Sequence, residues 1–335
     1  MIRVAILGAS GYVGGELLRL IAAHPAMDVA VAFGSSTAGR PVAEVHPHLA
    51  LAYPHMMLAV WTTELLANTD LILAALPHGE TQRLADQLLS PGVPIVDLGA
   101  DFRLRNAVDF ETWYGEPHQR PELLESFTYG LPEFFRDEIR SSKRVAAPGC
   151  YPTAANLALK PLIDAGVIER KGIIVDAASG VSGAGRSANA GTHFCAVDGS
   201  FRAYGLTAHR HTAEMEMVSG ASVLFTPHLM ATSRGILATC YAKAVGTPDP
   251  LAILRAAYAD EPFVHVGLGL PETKWATGSN AAFLSARFDQ RTGMVVALAA
   301  IDNLGKGAAG QMIQCANLML GLEETAGLSN IGVYP

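Results

Sequence analysis

A short apolar strand that runs straight into a glycine-spaced turn and then a helix constrains this chain more than any other feature. Arg3–Leu7 is followed by Gly8-Ala9-Ser10-Gly11-Tyr12-Val13-Gly14, and a helical face of Leu17, Leu18, Ile21 and Ala22 lies within Gly14–Ala23. A strand that feeds directly into a helix returns to a parallel neighbour through a right-handed crossover. Further apolar runs at Val29–Phe33, Leu71–Ala75 and Ile95–Leu98, with a helical pattern over Glu80–Leu89 (Leu84, Ala85, Leu88), repeat the alternation. Strands buried on both faces read as continuous apolar runs. The first part of the chain is therefore expected to be an α/β, doubly wound, Rossmann-like parallel sheet.

Glycine permits the sharp exit from the strand and lets a pyrophosphate approach the unpaired amides of the helix start. The G-x-x-G-x-x-G spacing directly after a first strand is one form of the dinucleotide fingerprint; an ordinary glycine-rich turn is the competing reading. Gly8, Ser10, Gly11, Tyr12, Val13 and Gly14 are thus candidate cofactor contacts. An NAD site places an acid at the end of the second strand, roughly 20 residues on, to hold the ribose 2′-hydroxyl. Here that segment is Phe33-Gly34-Ser35-Ser36-Thr37-Ala38-Gly39-Arg40, with no acid. The Ser35 and Ser36 hydroxyls and the Arg40 guanidinium suit a 2′-phosphate, so the expected cofactor is NADP(H). Pro77-His78-Gly79 follows a strand and is a candidate rim of the same site.

At 335 residues the chain is long for one core, and two domains are expected. A hydrophobic content of 50% against 16% charged residues belongs to a well-packed globular protein. The net charge of −7 argues against a general nucleic-acid binder, which carries a basic stripe. The longest apolar run, Met294 to Ile301, is far short of the roughly 20 residues that a membrane span needs. No signal peptide is expected ahead of a first strand that starts so early. Cys150, Cys195, Cys240 and Cys315 are widely spaced with no C-x-x-C pair. That spacing fits reduced thiols in the cytoplasm and offers neither a zinc site nor a disulfide framework. Beyond Cys150, strand-like runs dominate: Gly172–Ala177, Ser222–Thr226, Gly235–Ala242, Asn280–Phe288 and Gly293–Ile301, with helices near Asp249–Ala259 and Gly307–Leu320. This second region is expected to be α+β with a mainly antiparallel sheet. The expected domains are 1–149 and 150–304, with a helix in 305–335 returning to the first.

Cys150 lies in Ala147-Pro148-Gly149-Cys150-Tyr151-Pro152-Thr153, after a strand-like Arg144 to Ala146 and before a helical face of Ala154, Leu157, Ala158, Leu162 and Ala165 that Gly166 stops. Pro152 suits a first helical position. A cysteine at a helix start faces unpaired amides and the positive end of the macrodipole. Such placement can lower a thiol pKa from about 8.5 to roughly 3.5–7.5, although most unpaired cysteines are simply small buried hydrophobes. His209-Arg210-His211-Thr212-Ala213-Glu214 is the second chemical centre. At a helix start, His211 and Glu214 share a face, and a neutral imidazole near a thiol can take its proton and return it. A metal reading of His209 and His211 fails for want of a third ligand at a convincing spacing; a solvated helix start is the plain alternative. Arg103 follows a strand end, and Arg186 ends the glycine-rich stretch Ser179–Gly185, which is too long for a tight turn. Either guanidinium could clamp a carboxylate or phosphate, or make a surface salt bridge. His46, His48 and His55 have no partner pattern and read as structural or exposed.

These segments together resemble the N-acetyl-gamma-glutamyl-phosphate reductases, type 1 of the N-acetyl-glutamate semialdehyde dehydrogenases, over essentially the full length. The resemblance is carried by 147–154 with Pro161, 8–14, Gly99-Ala100-Asp101-Phe102-Arg103-Leu104, Tyr129-Gly130-Leu131-Pro132-Glu133, 179–186, His209-Arg210-His211 with Glu214, and 302–311. One departure is Ala213, where proline is common in the family. The resemblance implies an NADPH-dependent enzyme of arginine biosynthesis. Its Cys150 thiolate would attack N-acetylglutamyl phosphate, release phosphate and carry a thioester that hydride reduces to the semialdehyde. It further implies His211 as acid/base with His209 the close competitor, Glu214 as orienting group, and Arg103, Arg186 and Ser182 on the substrate. Gly183, Asn303, Gly310 and Gln311 would line the cofactor, and a homodimer or homotetramer would form. A lysine-pathway reductase acting on an aminoadipyl phosphate is the nearest rival, and aspartate-semialdehyde dehydrogenase fits the motifs less well. A non-catalytic NADP-binding redox sensor would leave Arg103, Arg186 and the histidines without a role.

Overall fold

The apolar runs of the first half pair into a six-stranded sheet. Its strands are β1 (Ile2–Leu7), β2 (Met27–Phe33), β3 (Leu71–Ala74), β4 (Ile95–Asp97), β5 (Thr128–Tyr129) and β6 (Arg144–Ala146), in the order β2-β1-β3-β4-β6-β5. Every pairing in it is parallel. The computed structural model describes residues 1–334 and divides into two compact units. The first is Met1–Pro148 with Ala308–Leu328; the second is Gly149–Gly307 with the residues from Ser329 onward.

In the first unit, helix α1 (Tyr12–Ala22) buries Leu17, Leu18 and Ile21 with Val4 and Ile6 of β1. The sequence pattern places one helix over Glu80–Leu89. The structure has two, Glu80–Arg83 and Ala85–Leu89, because Leu84 leaves the helical region at φ −93°, ψ 3°. Two further helices, Ala107–Tyr114 and Pro132–Ser141, lie between β4 and β6. Met312, Ile313, Cys315 and Ala316 of a late helix join the same apolar cluster as α1.

The second unit carries a seven-stranded sheet. Its strands are β7 (Ile173–Gly180), β8 (Phe201–Ala203), β9 (Val223–Met230), β10 (Ile236–Lys243), β11 (Val264–Val266), β12 (Ala282–Asp289) and β13 (Met294–Ile301), in the order β11-β12-β13-β10-β7-β9-β8. It is mixed: β7–β9 and β11–β12 are parallel, the other pairings antiparallel. Burial alternates along β7, β9 and β10, as it does when one face of a sheet is covered. Helices α2 (Cys150–Asp164), α3 (His211–Ser219) and α4 (Pro250–Ala257) form the covering layer, with α2 against β10 and β13, α3 against β9 and α4 against β12. The last helix, α5 (Gly310–Met319), belongs to the first unit, but the chain after Leu328 does not stay with it. Asn280 N donates to Ser329 O and Val333 N to Thr277 O, which ties that segment to the second unit. Of the expected 305–335 segment, residues 308–328 group with the first unit and those after Leu328 with the second, and Pro335 lies outside the described residues.

The turn out of β1 is sterically fixed. Gly8 has φ +73°, and a Cβ there would overlap the Ala75 carbonyl oxygen. A Cβ on Gly14 would lie 2.5 Å from Ala9 Cα. Gly8→Ala combines a left-handed backbone with a clash against main chain, so it should destabilise the protein by at least ~2 kcal/mol. Denaturant unfolding of the variant checks this, and a midpoint equal to the wild type would contradict the steric account.

Candidate active site

Cys150 is the first residue of α2, with Gly149 as its N-cap, so its thiol stands at the end where helix amides lack intrahelical partners. Pro152 is the third helical residue rather than the first, still within the turn where proline is tolerated. Two glycines make room around the thiol. A Cβ on Gly307 would lie 2.8 Å from Cys150 Cβ, and a Cβ on Gly149 would lie 2.6 Å from His211 Cε1. The imidazole of His211 therefore rests on the residue just before the cysteine.

His211 begins α3, and Glu214 lies one turn further along the same face. The Glu214 carboxylate is fully buried. Its Oε2 accepts the Gly149 N–H at 2.9 Å, and its Oε1 is 3.9 Å from His211 Nε2. One carboxylate thus reaches both the start of the cysteine helix and the imidazole. His209 has different surroundings. Tyr151, Tyr204 and Phe225 pack edge-on around its ring at 5.8, 5.6 and 5.2 Å between centroids. Burial in this box, with the Arg210 charge adding, lowers its pKa to about 4. Its Nδ1 accepts the backbone N–H of His211 at 3.2 Å, so Nδ1 carries no proton. The box is itself braced: Tyr151 donates its hydroxyl to the His228 carbonyl at 3.1 Å and receives that of Tyr204 at 3.1 Å.

The glycine-rich stretch after β7 is fastened by Asn303. Asn303 Nδ2 donates to Ser182 Oγ at 2.9 Å, and its Oδ1 accepts Gly235 N–H at 2.7 Å. A Cβ on Gly183 would lie 2.9 Å from Ser179 Oγ. Beside it, the buried Asp302 takes the Arg234 guanidinium at 2.9 Å and the amides of Gly278, Leu304 and Gly305. Arg186 is exposed. In the second unit the structure brings Cys150, His209, His211 and Glu214 into one cluster, and Ser182, Gly183 and Asn303 into another.

The remaining candidates belong to the first unit. Gly8, Ser10, Gly11, Tyr12, Val13 and Gly14 form the turn into α1, whose N-cap is Gly11 with no side-chain cap. Ser35 and Ser36 are exposed just beyond β2, and Arg40 pairs with Glu44 at 2.6 Å. Pro77 and His78 follow β3. The His78 ring is gripped by Asp101 at 3.0 Å and Glu116 at 3.1 Å and stacks on Tyr114 at 4.7 Å. Arg103 is buried, and its Nη2 donates to Leu98 O at 2.6 Å. It lies near Asp97, whose pKa burial and the Asp101 charge push up to about 7. Gly310 and Gln311 are fully buried in the first turn of α5.

Pattern reading missed Tyr204, Phe225 and Arg234, and gave no role to Tyr151 and Asp302, which lie inside recognised segments. Gly149 and Gly307 were inside recognised segments, and a glycine flanking a candidate nucleophile was the available signal of close approach. Among the described residues no helix is long and apolar enough to cross a membrane.

A family model described as "Semialdehyde dehydrogenase, NAD binding domain" matches residues 3–142, and one described as "Semialdehyde dehydrogenase, dimerisation domain" matches 150–303. The N-acetyl-gamma-glutamyl-phosphate reductase of Symbiobacterium thermophilum is 48% identical over 100% of this chain and 99% of its own. That of Pseudomonas putida is 44% identical over the whole of both. Among solved structures, aspartate semialdehyde dehydrogenase II of Vibrio cholerae superposes with TM-score 0.73 at 17% identity, covering 96% of this chain and 98% of that one. The aspartate semialdehyde dehydrogenase of Candida albicans, solved with NADP, gives 0.68 at 12%, covering 96% and 98%. These structures share the fold; at full length and above 40% identity, the chain belongs to the N-acetyl-gamma-glutamyl-phosphate reductases, a family of semialdehyde dehydrogenases with a nicotinamide-dinucleotide-binding domain.

Proposed function

We propose that this protein reduces N-acetyl-L-glutamyl 5-phosphate with NADPH to N-acetyl-L-glutamate 5-semialdehyde and phosphate, as a step of arginine biosynthesis. The observation that carries this reading is the Cys150 helix start with the His211 imidazole against Gly149 and Glu214 behind both. Cys150 loses its proton to His211 and attacks the acyl carbon, and phosphate leaves. When bound, NADPH would supply the hydride that reduces this thioester to the thiohemiacetal level. His211 returns the proton as the thiohemiacetal collapses and frees the cysteine. Glu214 orients the imidazole. His209, neutral and braced by aromatics, holds the backbone at the start of α3 rather than exchanging protons. Arg103, Arg186 and Ser182 serve the anionic substrate.

The cofactor fits the turn. Gly11, the N-cap of α1, brings no side chain onto the first amides of that helix, and the end of β2 offers hydroxyls and Arg40 in place of an acid. Arg40 would leave Glu44 to hold the 2′-phosphate. Gly183, Asn303, Gly310 and Gln311 shape the nicotinamide surroundings. The chain works as a homodimer or homotetramer. The uncovered face of the second sheet, with Ile174 and Leu224 exposed at 37% and 52%, supports assembly there. Four thiols, one of them the nucleophile, suit the reducing cytoplasm.

The function is tested in reverse, with N-acetylglutamate semialdehyde, phosphate and NADP+, by following NADPH absorbance. Turnover is expected, and turnover with an aminoadipate semialdehyde analogue alone would move the substrate to the longer chain. In that assay Cys150→Ser should lose at least about 1,000-fold in kcat while NADPH still binds; substantial residual turnover would refute the covalent step.

The histidine roles separate in the same assay. His211→Asn is expected to lower kcat about 100-fold or more, and His209→Asn less. Because His209 titrates near 4, the acid limb of the pH profile should survive in His209→Asn. A greater loss at His209, or a limb that vanishes with it, would reverse the assignment.

Arg40→Ala should weaken NADPH about tenfold or more and NADH hardly at all, as the loss of a charge-assisted contact to one phosphate requires. Equal weakening of both cofactors in a binding titration would remove Arg40 from the 2′-phosphate.

A further inference from the structure

We propose that His46 is a positioning residue for the cofactor: it holds the Ala9 peptide of the glycine turn in the orientation that receives the pyrophosphate. The proposal rests on the reading of Gly8–Gly14 as the NADPH turn. His46 is 5% exposed and directly follows the short helix Val42–Val45. Its Nε2 lies 2.8 Å from the Ala9 carbonyl oxygen. A carbonyl only accepts, so Nε2 carries the proton and donates it.

The adjoining Cε1–Nδ1 edge of the ring rests on α1. A Cβ on Gly15 would lie 2.7 Å from His46 Cε1 and 2.8 Å from Nδ1, so the imidazole occupies the space a side chain at position 15 would need. Glycine inside a helix costs up to about 1 kcal/mol relative to alanine. Here it gives the imidazole access to the turn. Gly15 is itself in the first turn of the helix, its N–H bonded to Gly11 O at 2.9 Å.

The consequence for the turn follows from peptide planarity. In a trans peptide the carbonyl and the next N–H point in opposite directions. With Ala9 O turned toward His46, the Ser10 N–H is turned away from it. The amide of Ala9 is held on its own side by Phe33 O at 3.0 Å. Both backbone polar groups of Ala9 are thus used, one by the end of β2 and one by His46. The same segment carries the 2′-phosphate candidates: Leu58 N bonds Arg40 O at 2.9 Å, and His46 N bonds Val42 O at 2.7 Å. His46 therefore ties the segment that follows Arg40 to the turn that meets the pyrophosphate.

NADPH titrations on the full-length protein test this, with kcat measured at saturating NADPH. His46→Ala should raise the NADPH Kd about tenfold with kcat within about twofold of wild type. His46→Gln, whose side-chain amide can donate to the same carbonyl, should recover most of that affinity. Gly15→Ala should raise Kd in the wild type by displacing the ring, and add nothing in the His46→Ala background. A Kd within about twofold of wild type in His46→Ala, or equal Kd values for His46→Ala and His46→Gln, would overturn the proposal while leaving the cofactor assignment standing. Failure of the wild type to bind NADPH at all would overturn the cofactor reading and this one with it.

Discussion

The hydrogen bond from the Gly149 amide to the buried Glu214 carboxylate is the contact around which the second unit's chemistry is arranged. A buried carboxylate is costly unless its oxygens are satisfied. Gly149 N–H belongs to the end of α2 where helix amides lack their own partners. Each group therefore meets the other's need, and two helix starts 65 residues apart in sequence are fixed to one another. The thiol belongs to one of those helices and the imidazole to the other. Their proximity follows from this link, together with the missing side chain at Gly149 that leaves room for the ring.

The glycine turn of the first unit depends on sterics rather than charge. Gly8 and Gly14 lack side chains because main-chain atoms occupy the positions that a Cβ would take, and Gly15 because an imidazole does. The turn is consequently a rigid backbone object, held through Ala9 from both sides. The electrostatic part sits further along, where Ser35, Ser36 and Arg40 stand beyond β2. Surface ion pairs such as Arg40–Glu44 contribute little to stability. Arg40 can therefore leave Glu44 at little cost to the fold.

The parallel sheet, the glycine turn and the cysteine at a helix start were legible because each is a local pattern of period, spacing or flanking residue. The helices at Ala107–Tyr114 and Pro132–Ser141 were not anticipated, although Asn106 caps the first by accepting Asp109 N–H and Gly115 ends it. Their apolar faces are short, with Phe110 and Ile139 among the few buried positions, so periodicity gave little to read. The break at Leu84 was hidden for the opposite reason, since its neighbours keep a helical pattern through it. The aromatic box of Tyr151, Tyr204 and Phe225 and the Arg234–Asp302 pair join residues tens of positions apart. No spacing rule announces such contacts. His46 reads from the sequence only as structural or exposed for the same reason, since its partners Ala9 and Gly15 lie some thirty residues upstream.

The histidines show how environment divides one residue type into different tasks. His24 accepts the Ala26 and Met27 amides at Nδ1 and faces Asn317 Oδ1 with Nε2, and its pKa is lowered by burial. His118 accepts Arg120 N–H at Nδ1 and donates to the Asp101 carbonyl, and burial lowers it too. His209 accepts the His211 amide within its aromatic box. In all three, a backbone N–H already occupies the lone pair of Nδ1, and protonating that nitrogen would break the bond and charge a buried ring. Such a histidine fastens a turn well and relays protons badly. His211 has different surroundings: its ring is partly open to solvent, lies against the residue before a thiol, and has a buried carboxylate 3.9 Å away. Within the cluster, His211 is therefore the imidazole that lies against the start of the cysteine helix, and His209 the one that fastens backbone.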